Sequence, residues 1–176
     1  MKKYLFATIA AFAGTLFLTL GLNSCGTDNP LLGVDEVEVA DLTSPLFMAY
    51  DNTLDKSTKL FWAFTQTEAA KGSITVKGDT LTIKTDWFFN SWKLSSRKLY
   101  LGDEGRSYDL KIVSVLSYHA ITFGGTYVCI PSSNKTIDGV NLEERWYSKG
   151  LTRQLFWDAI HKSYDDKAGV DIKLSK

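Results

Sequence analysis

The segment SITVKGDTLTIK at residues 73–84 decides the fold, because it has the pattern of a β-hairpin. Its two-residue turn, Gly78-Asp79, uses glycine for the positive φ that a tight hairpin turn requires. A turn of this length pairs Lys77 with Thr80 and thereby fixes the register of the other pairs. Four apolar side chains then share one face of the hairpin: Ile74, Val76, Leu81 and Ile83. The segment predicts an antiparallel sheet with one apolar face.

Short segments with the period-2 pattern of strands lie on both sides of this hairpin. They are residues 36–39, 60–64, 92–94, 99–101, 108–115 and 121–130. Gly124-Gly125 interrupts the last segment, and we expect the strand to continue from Tyr127 until Pro131 ends it. The apolar positions change parity between Ile112 and Val113, which predicts a β-bulge or burial on both faces.

The pattern becomes helical near residue 141. Asn141 is placed to cap a short helix, which Gly150 ends. Thr152 is placed to cap a second helix that runs to about Tyr164. The apolar face of the second helix is predicted to consist of Leu155, Phe156, Ala159 and Ile160. Residues 170–174 alternate again between apolar and polar, which predicts a final strand at an edge of the sheet.

Strands at a spacing of about 8–12 residues predict an antiparallel meander. We expect this mainly β domain to close into a barrel, with a β-sandwich as the alternative, and to carry a C-terminal helical excursion before its last strand. The similarity to a known class rests on FWAF at 61–64, KGDTLTI at 77–83, WKL at 92–94, KLYL at 98–101 and the strand at 108–115. These segments resemble the lipocalin-like lipoproteins of Gram-negative bacteria. The resemblance implies a lipocalin-like barrel that holds a ligand, although the Gly-x-Trp motif of lipocalins does not occur.

The start of the chain has the composition of an export signal. Lys2-Lys3 precedes an uncharged and mostly apolar run over residues 4–21. A basic start, an apolar run and small residues at its end are typical of a secretory signal peptide. The sequence therefore predicts a signal peptide at residues 1–24.

The signal peptide ends in Leu22-Asn23-Ser24-Cys25, which resembles the lipobox of bacterial lipoproteins. The resemblance implies that Cys25 is lipidated and becomes the first residue of the mature protein. Two or more acyl chains hold a protein stably on a membrane. Residues 25–33 then form the lipidated cysteine and its tether, and residues 34–176 form a single β-rich domain. Gly26 stands where some bacteria carry a retention aspartate, which implies the outer membrane of the cell envelope.

Composition excludes several classes of function. The formal net charge is zero and there is no basic stripe, which argues against nucleic acid as a partner. His119 and His161 lack cysteine or carboxylate at ligand spacing, so we expect neither a metal nor another cofactor. The chain has no nucleophile elbow and no phosphate-binding glycine loop, and Cys129 has the setting of a buried strand residue. We therefore expect a protein that is not an enzyme.

The aromatic residues exceed what a plain core needs and carry the functional hypothesis. Rings that line a cavity can bind an apolar molecule or the face of a sugar. The candidate ligand-binding residues are Trp62, Phe64, Trp87, Trp92 and Tyr127. Two functions stay open. The first is a lipid-anchored envelope protein that binds a small apolar ligand or a glycan. The second is an envelope accessory protein whose filled core presents loops to a protein partner.

Overall fold

The strands of the described residues form one large antiparallel sheet and one small hairpin. The structure, a computed structural model, describes residues 36–50, 57–103, 105–115, 118–134, 136–137 and 140–175. The predicted signal peptide at residues 1–24 and the whole of the predicted tether at residues 25–33, with Cys25, lie outside this part of the chain. The helices are α1 (Val39–Thr43), α2 (Leu142–Tyr147) and α3 (Arg153–Asp166), with a 3-10 helix at Ser132–Asn134. The strands are β1 (Met48–Tyr50), β2 (Thr58–Phe64), β3 (Ala69–Lys77), β4 (Thr80–Phe89), β5 (Trp92–Ser95), β6 (Lys98–Leu101), β7 (Arg106–Val115), β8 (Tyr118–Phe123), β9 (Tyr127–Pro131), β10 (Thr136–Ile137), β11 (Val140–Asn141) and β12 (Val170–Lys173).

The ten-stranded sheet of the described residues has the order β12-β4-β3-β2-β1-β9-β8-β7-β6-β5. The prediction of a mainly antiparallel β fold is confirmed. Strands β12 and β5 are the two edges, so no hydrogen-bonded ladder closes the sheet. The hairpin at 73–84 has the predicted register, with Lys77 opposite Thr80. The final strand pairs with β4 at one edge, as predicted.

The sheet curls strongly, because one short link joins its two ends. Strand β4 lies next to one edge and β5 is the opposite edge, yet only Asn90 and Ser91 separate them. Two linking residues span on the order of 10 Å at most. The indole of Trp92 in β5 also donates a hydrogen bond to the Thr65 carbonyl at the end of β2, over 3.0 Å. The curl gives the sheet an inner and an outer face.

Helices α2 and α3 cover part of the outer face, and the inner face is packed on itself. Alternate residues of β2 divide between the two faces: Phe61 and Ala63 pack under α2 and α3, whereas Trp62 and Phe64 point inward. Helix α1 contributes Leu42 to the inner core. The two faces therefore have separate apolar cores, which are joined only through the sheet.

A β-bulge lies where β3 pairs with β4. Lys71 is opposite Trp87 and Gly72 is opposite Thr85, so Asp86 has no partner in the ladder. The extra residue reverses the alternation of β4. Thr85 faces α3, and its hydroxyl donates a hydrogen bond to the Ile160 carbonyl of that helix. Trp87 instead turns to the inner side of the sheet.

Of the two alternatives predicted at Ile112–Val113, the bulge is wrong, because β7 and β8 pair without a register shift from Leu110 to Val115, whereas both residues are partly buried on opposite faces. The continuous strand through Gly124-Gly125 is also wrong. Both glycines have positive φ and form a turn, after which β9 returns antiparallel to β8. Flexible glycines at two successive positions favour a chain reversal.

The predicted first strand at 36–39 is instead the approach to α1. The Asp41 carboxylate accepts a hydrogen bond from the Glu38 backbone N–H over 2.7 Å, which favours a helical turn there. The helices after residue 141 are confirmed, with Asn141 and Thr152 as their N-caps. The predicted apolar face of α3 is wrong at one position: Leu155 is exposed, and Trp157 is buried with Phe156, Ala159 and Ile160.

Candidate ligand-binding site

An open groove lies where the curled sheet fails to close. The first half of β4 pairs with β12, but the described strands give the second half no partner on that side. The β6–β7 turn faces this unpaired half and leaves a groove of about 480 Å³. The volume is in the range of small-ligand sites, about 300–1,000 Å³. The groove, called the seam groove below, is lined by Asp86, Trp87, Phe88, Phe89, Asn90, Ser91, Leu101, Gly102, Asp103, Arg106 and Tyr164.

Trp87 is the most accessible of the predicted ligand-binding aromatics. Its side chain is 36% exposed and lies at the seam groove. The guanidinium of Arg106 sits 4.8 Å from the centre of its ring, so this contact bridges the open seam between β4 and β7. Phe89 packs against the same indole edge to face, with ring centres 6.4 Å apart. The groove thus offers a ring surface next to a cation.

A lysine occupies the inner side of the sheet beside this ring. The ammonium of Lys71 lies 4.6 Å from the centre of Trp87 and 4.4 Å from that of Tyr127. It also lies 5.6 Å from Trp62 and 5.8 Å from Tyr50. Each contact is within the distance at which a cation is attracted to a ring face. Its Nζ donates a hydrogen bond to the Tyr127 hydroxyl over 3.1 Å. These five residues are called the lysine cluster below.

The Tyr50 hydroxyl and the Trp62 indole nitrogen of the lysine cluster are both buried. Neither has a partner at full hydrogen-bond geometry among the described residues, but the indole N–H is close enough to the Tyr50 oxygen to lower the pKa of Tyr50. Burial raises the pKa of Tyr50 far above its ordinary value, and the nearby Cys129 and Tyr127 raise it further, so the hydroxyl keeps its proton. Burial also raises the pKa of Cys129, against the opposing effect of Lys71. The thiol therefore stays protonated and is a poor nucleophile.

Trp62 and Phe64, two further predicted site residues, lie in the interior and pack against other rings. Trp62 is fully buried and stacks on Phe123, with ring centres 5.4 Å apart and planes within 2°. Phe64 stacks on Trp62 at 6.0 Å and meets Trp92 edge to face at 5.3 Å. Trp92 also borders a second shallow groove on the β5–β6 hairpin. Of the five predicted residues, Trp87 and Tyr127 are thus joined through Lys71, Trp62 and Phe64 lie in the interior, and Trp92 is half-buried at the second groove.

The sequence interpretation missed Lys71 and Arg106. Both occupy inward positions of their strands, since Lys71 shares its face of β3 with Ala69 of the inner core and Arg106 contacts the inward Trp87. A charged residue at an inward strand position is uncommon, because burying a charge is costly. The alternation of β3 gave no such signal for Lys71, because it places the lysine on the face of Ser73 and Thr75, opposite Ile74 and Val76. Arg106 gave no signal either, because it stands at the first position of its strand.

The described residues contain no cluster of three or more histidine, cysteine, aspartate or glutamate side chains that could hold a metal ion. In the same ranges, no helix has the length and apolar character to cross a membrane. The chain matches no known protein family, no curated protein and no solved structure.

Proposed function

We propose that this protein is a lipid-anchored lipoprotein of the bacterial cell envelope that binds a small ligand, a glycan, in the seam groove. The observation that carries the ligand part is Trp87, a partly exposed ring in a groove whose other lining is mostly polar. A sugar ring has an apolar face that stacks on an aromatic ring and a rim of hydroxyls that needs polar partners. Asp86, Asn90 and Asp103 supply such partners in the groove.

The lipocalin-like interpretation of the fold is part of this proposal. Strands β4 and β5 are treated as two halves of one strand, bent at Asn90-Ser91. Within this bent strand, β4 pairs with β3 and β5 pairs with β6, so the two ends of the meander share one strand. Eight strands then surround one interior, and α3 with β12 forms an addition on the outer wall. The seam groove is the place where this bent strand leaves the wall open.

The ligand site is tested by Trp87→Ala in a titration of the soluble domain with a panel of oligosaccharides. We expect the bound glycan to lose affinity by roughly thirty-fold, about 2 kcal/mol, because the stacking surface is removed. Isothermal titration calorimetry gives the dissociation constants. Tyr147→Ala is the control, since that ring is 40% exposed on α2 and lies outside the groove. Unchanged affinity for Trp87→Ala would refute this site.

The anchor is supported by the sequence alone: the basic start, the apolar run and the Cys25 that follows Ser24. We expect the mature protein to begin at Cys25 and to carry acyl chains, so that it fractionates with outer membranes. Cys25→Ala should leave the leader attached and remove the acyl mass. Mass spectrometry of the N-terminal peptide from both proteins measures this. An unmodified Cys25 in the wild-type protein would contradict the anchor.

The alternative is an envelope accessory protein that binds a protein partner. The stacked rings of Trp62, Phe64 and Phe123 support it, because they fill the inner space that a barrel ligand would take. The oligosaccharide panel separates the two functions. Binding of an oligosaccharide that is lost in Trp87→Ala supports the ligand site. If no oligosaccharide of the panel binds the wild-type protein, the accessory function is favoured.

A further inference from the structure

The side of the Trp87 ring that faces the seam groove is already occupied. The guanidinium of Arg106 lies 4.8 Å from the ring centre, and Arg106 lines the groove. Lys71 approaches the same ring at 4.6 Å but does not line the groove. A sugar ring that stacks on the indole needs van der Waals contact with its atoms, at about 3.5–4.0 Å. The guanidinium and a sugar ring therefore cannot lie on this side of the indole at the same time.

Arg106 is held on the ring more weakly than Lys71. Lys71 is half-buried among the four rings of the lysine cluster and donates a hydrogen bond to Tyr127. Arg106 is exposed; among the described residues it contacts one ring and lies within ion-pair distance of no carboxylate. A cation–π contact at an exposed site is weak. The backbone of Arg106 is held opposite Leu101 in the β6–β7 hairpin, so only its side chain has to move to uncover the ring.

The seam groove also contains acceptors for a guanidinium that has left the ring. Asp86 and Asp103 are exposed and line the groove together with Arg106. The planar fork of an arginine suits the two oxygens of a carboxylate, and its long side chain can adopt several rotamers. A displaced Arg106 therefore stays in the groove, in the vicinity of opposite charge.

We propose that Arg106 competes with the glycan for the Trp87 ring. Its guanidinium covers the stacking surface in the free protein and moves toward the carboxylates of the groove when a sugar ring binds. The apparent affinity of such a site is reduced by the fraction of molecules in which the ring is uncovered. Arg106 thus lowers the affinity of the site, although it lies in the groove lining. This inference rests on the proposed function and describes how that site is regulated.

The test is Arg106→Ala, titrated in a calorimeter with three neutral hexasaccharides: cellohexaose, N-acetylchitohexaose and maltohexaose. We expect a hexasaccharide that binds the wild-type protein to bind Arg106→Ala about three to five times more tightly, because the ring is uncovered in every molecule. The same substitution should have no effect in the Trp87→Ala protein, which has no ring to uncover. Arg97→Ala is the matched control, since Arg97 is also exposed, carries the same charge and lies outside the seam groove on the β5–β6 turn.

A second measurement follows the Arg106 side chain directly. Protons above the face of an aromatic ring have NMR signals that are shifted upfield. We expect this shift for the Arg106 δ protons in the free wild-type protein, and we expect it to disappear on saturation with a hexasaccharide that binds. In free Trp87→Ala the shift should be absent.

The outcomes separate the two proposals. Equal or weaker binding by Arg106→Ala, or an upfield shift that persists at saturation, overturns the competition but keeps the groove as the glycan site. No binding of any hexasaccharide by the wild-type protein or by Arg106→Ala overturns both. Arg106 is exposed at the start of β7, so its variant is expected to fold. Circular dichroism of each variant checks the fold before titration.

Discussion

Trp62→Ala is expected to lower the free energy of unfolding by about 3–5 kcal/mol, the range for a buried tryptophan replaced by alanine. The ring is fully buried and packs nearly parallel to both Phe64 and Phe123, which contact each other at 6.4 Å, with Tyr108 edge to face at 5.9 Å. Its removal leaves a cavity in the middle of the inner core, because the three neighbouring rings are held on β2, β7 and β8 and cannot all move inward. Urea unfolding followed by far-UV circular dichroism measures the loss.

Two variants make this result specific. Trp62→Phe keeps a ring against Phe64 and Phe123, so it should recover at least half of the lost stability. Trp87→Ala should cost no more than about 1 kcal/mol, because that ring is partly exposed. A loss below about 1.5 kcal/mol for Trp62→Ala would mean that the inner space is loosely packed and that the ligand could lie there.

Gly72→Ala is expected to destabilise the domain by about 3 kcal/mol, at the upper end for an added atom in a packed site. A Cβ at this position would lie 2.1 Å from the Lys84 carbonyl oxygen and 3.0 Å from the Thr85 Cα. Both are backbone atoms, so the contact can be relieved only if β3 and β4 separate at the bulge. The variant should also lose glycan affinity, because the bulge is what turns Trp87 toward the inner side.

Gly105→Ala is the matched control for this substitution. A Cβ there meets no atom within 4 Å, and the cost comes only from its φ of 70°. That strain is worth about 1 kcal/mol. Thermal unfolding and titration of both variants are compared. Equal losses for Gly72→Ala and Gly105→Ala would contradict the tight approach of β3 and β4.

Local chemistry accounts for what could be predicted from the sequence. The register of the hairpin at 73–84 follows from its turn, and the caps Asn141 and Thr152 follow from side chains that bond their own helix ends. The reversal at Gly124-Gly125 was also local, since two glycines with positive φ are typical of a hairpin turn. It was missed because the apolar residues on both sides read as one strand.

Non-local contacts account for what could not be predicted. The bulge at Asp86 depends on the close approach of Gly72 to another strand, which no pattern within β4 reveals. The lysine cluster brings β1, β2, β3, β4 and β9 together around one ammonium. The aromatics of the candidate site could be named from the sequence, but which of them remain accessible depended on the packing of the curled sheet.

The most direct test of the account is a two-dimensional NMR spectrum that resolves the indole N–H signals of the five tryptophans. Each signal is assigned with a Trp→Phe variant, and a glycan that binds is then added. We predict that Trp87 shifts most and Trp62 shifts less, since Lys71 contacts both rings. Trp146 and Trp157, which pack on the outer face, should not shift. Shifts confined to Trp146 and Trp157, or an unmoved Trp87 at saturation, would contradict a ligand site at the seam of the sheet.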